Sequence, residues 1–167
     1  MGKVFEAVSQ FTNKYPGTIA WRLKRHSSVI EEHLNPDEEL LYAFCGQHNA
    51  KPSEFFETCV VAITNERLLI AQKRVLFGYY LTSITPDLYN DLEVVSNLIW
   101  GTVVIDTVKE TVYISNLPKR ALREIETQVT SYMLEAKKKD ITLNTLVKDL
   151  KHITKDIKFI DNSTFEI

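Results

Sequence analysis

Cysteine is scarce in this sequence: Cys45 and Cys59 are the only two among 167 residues, and each stands inside an apolar, strand-like run. Small secreted domains stapled by disulfides use four or more, so this pair reads as free, buried thiols. Glycine and proline are also rare, five of each. That excludes a long flexible linker or a low-complexity tail. Neither charge sign dominates: the formal net charge is -2, so there is no global field to attract nucleic acid or an anionic membrane. No apolar run approaches the roughly 18 residues that span a bilayer, and the amino terminus lacks the apolar core of a signal peptide. A cytoplasmic protein without nucleic-acid partners is the expectation.

Catalytic constellations are missing as well. His26 and His33 lack the i, i+4 spacing of a helical metal pair and have no third ligand close in sequence. They read as solvated helix residues. Cys45 and His48 lack a third group to orient a nucleophile–base pair. The sequence therefore implies no catalytic residue, no metal and no cofactor.

What is present is patterning. Val4, Phe5, Val8 and Phe11 recur at helical spacing until Tyr15-Pro16-Gly17 breaks the run. A second helix is expected from Thr18 to Leu34, ending where Asn35 precedes Pro36. From Glu39 the period shortens toward two. Strands are expected around Leu41–Cys45, Phe55–Ile63, Arg67–Lys73, Gly78–Ile84, Glu93–Trp100, Thr102–Thr107 and Val112–Ile114. Asn65-Glu66 suits a two-residue hairpin, because Asn tolerates the positive φ of a primed turn. Tyr79, Tyr89 and Trp100 read as exposed aromatics that could mark an interface, although packing within the barrel accounts for most of them.

After Pro118, the residues Leu122, Ile125, Val129, Tyr132 and Met133 form an amphipathic helical stripe, and Lys137-Lys138-Lys139 suits its C-terminus. A further segment from Asp140 carries Leu143, Leu146, Val147, Leu150 and Ile153 opposite Lys148, Lys151 and Lys155. Its end, from Ile157 to Ile160 and Thr164 to Ile167, is expected to form a hairpin.

Seven strands followed by one amphipathic helix resemble the pleckstrin-homology-like (PH-like) superfold. More narrowly, the chain resembles bacterial PH-like domains. The matching residues are Leu34-Asn35-Pro36-Asp37-Glu38-Glu39, the run from Val61 to Ile70 with Thr64-Asn65-Glu66-Arg67-Leu68 at its centre, Ser83-Ile84-Thr85-Pro86, and Ile114-Ser115-Asn116-Leu117-Pro118-Lys119. The fold class expected is α+β, a seven-stranded antiparallel barrel or sandwich capped by a C-terminal helix. Its organisation would be a helical segment over 1–34, the PH-like domain over 35–139 and an extension over 140–167. Phosphoinositide-binding members concentrate cations in and after the first hairpin, where this chain offers Lys51 and His48 against Glu54 and Glu57. A polyanionic headgroup needs several convergent cations, so the resemblance does not carry phosphoinositide binding to this chain.

The resulting expectation is a non-enzymatic protein-interaction or assembly module of bacterial or phage origin, with an unidentified protein partner or a second copy of itself. The alternative is a ligand-binding module for a lipid, nucleotide or peptide at the barrel mouth, served by Lys73 and Arg74. Partner-binding candidates are Lys119, Arg120 and Arg123, set at a helix start where the dipole disfavours cations, together with Leu146, Leu150 and Ile153.

Overall fold

The computed structural model of the chain describes residues 2–49 and 57–163, with side chains as far as Thr154. It divides into two units, one ending at Met133 and one beginning at Leu134.

The first unit opens with helices α1 (Lys3–Lys14) and α2 (Leu23–Glu31). Val4, Val8 and Phe11 of α1, with Val29 and Ile30 of α2, are buried in the same core as the strands. The two helices thus share the core of the strands. Glu31 ties the pair together, its Oε1 accepting the Val4 N–H at 3.0 Å and the Phe5 N–H at 3.3 Å. These are amides that the first turn of α1 cannot satisfy internally. The second helix starts later than its periodicity suggests, because Arg22 sits in the left-handed region at φ 54°.

Seven strands follow: β1 (Leu40–Gln47), β2 (Thr58–Thr64), β3 (Leu68–Lys73), β4 (Tyr79–Ile84), β5 (Tyr89–Ser96), β6 (Trp100–Thr107) and β7 (Thr111–Pro118). They form one antiparallel sheet in the order β4-β3-β2-β1-β7-β6-β5. The two halves join where β1 meets β7, through the pair Gln47 and Ser115. A Cβ on Gly46 would stand 2.7 Å from Ile114 Cγ2 and 2.9 Å from the Ser115 carbonyl, so this close approach requires glycine.

Helix α3 (Leu122–Ser163) follows a 3-10 turn, η1 (Lys119–Ala121). The expected stripe is confirmed up to Met133: Leu122, Ile125, Val129 and Met133 are buried. A Cβ on Gly101 would lie 2.3 Å from Leu122 Cδ1, so glycine at that point of β6 admits the start of α3.

Several boundaries differ from the sequence reading. The β2–β3 turn does not use a primed geometry, since neither Asn65 nor Glu66 has positive φ. The Thr64 hydroxyl instead accepts the N–H groups of Glu66 and Arg67, at 3.2 and 3.0 Å. The fifth strand begins at Tyr89, and Trp100 opens the sixth; the turn between them is closed by Asn97 N–H to the Trp100 carbonyl at 2.8 Å. Tyr89 is buried, not exposed. Helix α3 runs past Lys137-Lys138-Lys139 to Ser163, because no glycine or proline interrupts the sequence there. Ile157–Ile160 accordingly lie in a helix, not a strand. The partner arm of that expected hairpin, Thr164–Ile167, and the start of the expected second strand at Phe55 lie outside the described residues.

Candidate binding surfaces

Among the described residues of the first unit, the most buried charge is Glu38. Its carboxylate receives Arg67 twice, Nε to Oε1 at 2.9 Å and Nη2 to Oε2 at 2.8 Å. The Thr64 hydroxyl at 2.7 Å and the Asn35 N–H at 2.9 Å complete its shell. Arg67 also donates to the His33 carbonyl at 2.9 Å. Burial opposes ionisation of Glu38, but these donors outweigh it and hold the carboxyl at about 2. Beside them, Asn65 Oδ1 accepts the Glu39 N–H at 2.8 Å. The two segments that carried the family resemblance, Leu34–Glu39 and Thr64–Leu68, thus meet in one clasp. Every member is satisfied inside the fold, so the clasp is structural and offers no ligand a free group.

His26 is also buried and sits in α2. Its Nδ1 accepts the Lys73 N–H at 2.7 Å. Burial, then the Arg22 charge, pushes the imidazole from 6.5 down to about 4, so it is neutral at pH 7. This corrects the solvated reading. His33 is not fully solvated either: its ring bonds the Val29 carbonyl at 2.6 Å and the Tyr79 hydroxyl at 2.9 Å. Because the folded pKa of His26 lies below the unfolded one, its contribution to stability is complete above pH 6.5 and is lost as pH falls toward 4. Urea unfolding of the wild type is expected to lose about 3 kcal/mol to this group over that span. His26→Asn should flatten the slope; an identical slope in the variant would assign the titration elsewhere.

Lys73 and Arg74 stand at the end of β3, beside His26. With Trp21, Arg22 and Val75 they line a recess of about 110 Å³. That is below the several hundred Å³ usual for a small-molecule site. The adjoining turn presents Val75, Leu76 and Phe77 to solvent.

Lys119 and Arg120 are better placed. They line a cavity of about 560 Å³ together with Lys14, Tyr15, Pro16, Gly17, Leu98, Ile99 and Pro118. Arg120 and Arg123 also border a shallower hollow against Tyr15 and Glu124. Glu124 does not pair with these cations. It accepts instead from Lys14, from the Tyr15 hydroxyl at 2.8 Å and from the Tyr42 hydroxyl at 3.1 Å. Burial raises the Glu124 pKa, but those three donors outweigh it and hold the carboxyl below its ordinary range. Among the described residues, Lys119, Arg120 and Arg123 make no ion pair. Periodicity alone could not have supplied Lys14, Tyr15, Leu98 or Ile99.

In the second unit, Leu143, Leu146, Val147, Leu150 and Ile153 of α3 are exposed. Leu146, Leu150 and Ile153 therefore lie on one helical face, away from any core among the described residues.

No described group of His, Cys, Asp and Glu side chains is placed to hold a metal ion. Among the described residues no helix is long and apolar enough to cross a membrane.

A seven-stranded antiparallel sheet followed by a helix packed through Leu122, Ile125, Val129 and Met133 is the PH-like fold. The family model described as Bacterial PH domain matches residues 34–130, and the chain belongs to that family. A solved pleckstrin homology domain from Shewanella amazonensis SB2B is similar at 16% identity, covering 66% of this chain and 85% of that one with a TM-score of 0.40. No curated protein matches the chain.

Proposed function

We propose that this chain is a non-enzymatic assembly module, which self-associates through the second unit of α3. The exposed apolar face of that helix carries the reading. Leu143, Leu146, Leu150 and Ile153 advance by steps of three and four, and Ile157 and Ile160 continue the series in sequence. Such a seven-residue repeat is the seam of a coiled coil, in which the apolar stripe of one helix packs into the same stripe of another. Lys148, Lys151 and Lys155 fall on the other positions, leaving a charged outer face. A second copy of the chain supplies a matching stripe by construction. Each leucine so buried would contribute about 2 kcal/mol.

Light scattering on the full chain is expected to give a mass at least double the 19.3 kDa monomer. Leu146→Glu with Leu150→Glu, both on exposed positions, should return it to the monomer with the circular dichroism of the sheet unchanged. A monomeric wild type, or a variant of undiminished mass, would reject self-assembly along this face.

A further inference from the structure

We infer that the cavity between the α1–α2 turn, the β5–β6 turn and η1 binds a small amphipathic anion: an acidic head on an apolar body. Three observations meet there. The cavity, at about 560 Å³, is of ligand size. Its walls are mainly apolar, from Tyr15, Pro16, Leu98, Ile99 and Pro118. Leu98 is 89% exposed and Ile99 63%, so the turn holds two large side chains in water at the cavity rim. Isolated exposed apolar residues are ordinary, but two on the lip of an apolar cavity favour an occupant that covers them.

The charge is equally specific. Glu124 is committed to Lys14, Tyr15 and Tyr42, so Lys14 arrives neutralised while Lys119 and Arg120 do not. The start of α3 adds its own positive end in the same place. Arg120 can grip a carboxylate or phosphate with two parallel donors, and Lys119 adds a second positive charge. A neutral apolar ligand would leave this pair unused, and a small hydrophilic anion would leave Leu98 and Ile99 in water. The rim is also anchored, because the Lys119 N–H donates to the Ile99 carbonyl at 3.2 Å and fastens the turn to η1. This site shares no residue with the α3 face, and its success or failure leaves the assembly reading untouched.

The test titrates the full chain with decanoate, with decanol and with decyltrimethylammonium, following amide chemical shifts and heat. Decanoate should perturb Gly17, Leu98, Ile99 and Lys119 and bind about tenfold or more tighter than decanol, as expected for one charge-assisted contact pair. Lys119→Glu with Arg120→Glu should abolish that preference while leaving decanol binding unchanged. Both positions are exposed and unpaired, so the fold is not at risk. Leu98→Asp should weaken decanoate and decanol alike. Equal affinity for the three compounds, shifts centred elsewhere, or a preference that survives the double charge reversal would overturn the inference, as would a failure to bind decanoate.

Discussion

Replacing Glu38 with alanine is expected to destabilise the first unit by about 3–5 kcal/mol, the range for removing one partner of a buried ion pair. The substitution leaves the Arg67 guanidinium without its carboxylate and the Asn35 N–H without its acceptor. The clasp also has a pH signature. The Glu38 carboxyl falls from an ordinary 4.5 to about 2 on folding, so its contribution is fully present above pH 4.5 and is lost as pH drops toward 2. Over that window the loss amounts to about 3 kcal/mol. It lies below the range in which His26 titrates, so acid should weaken the fold in two successive stages. Urea denaturation at pH 7 and at pH 3 checks both points. A loss under about 1 kcal/mol for Glu38→Ala at pH 7 would mean that solvent already satisfies Arg67.

Phe44→Ala is the second large effect, an expected loss of about 3–5 kcal/mol. Phe44 is fully buried in β1, with its ring centroid 6.1 Å from that of Phe11 in α1 and 6.1 Å from that of Tyr42. Both pairs are tilted, a favourable arrangement for aromatic quadrupoles. Truncation opens a cavity where α1 meets the sheet, so α1 should lose amide-exchange protection before the strands do. Leu76→Ala, on an exposed turn, serves as the contrast and should change stability by no more than about 0.5 kcal/mol. Equal effects at the two positions would show that α1 does not depend on Phe44.

Most strands were legible because alternation is written into them. Val103 and Ile105 in β6, and Val112 and Ile114 in β7, are buried as their period requires. The β5–β6 turn was not legible, because Asn97-Leu98-Ile99 contains neither glycine nor proline and continues an apolar run. The same two side chains prove to rim the large cavity. The β2–β3 turn was placed correctly, but its mechanism was misassigned. Asn65 acts through its side chain on Glu39, and no positive φ is involved. The clasp joins Glu38 to Arg67 across 29 positions, a distance no local period encodes. For the candidate cavity, the sequence signal was the helix dipole. Cations at the start of α3 were out of place, and the structure shows that Glu124 does not neutralise them. Lys14 and Tyr15 come from the opposite end of the chain and had no sequence signal.

The meeting of β1 and β7 sets an order on how this sheet can form. Each half, β1 to β4 and β5 to β7, is a run of hairpins between neighbours in sequence. Such hairpins close quickly, since little chain entropy is lost in each. The seam between the halves brings Gln47 to Ser115, 68 positions apart, through a single register pair. Closing so long a loop costs more chain entropy than any one hairpin and yields a single register pair in return. Pairing is thus local within each half and long-range only at the seam, where Gly46 permits the contact.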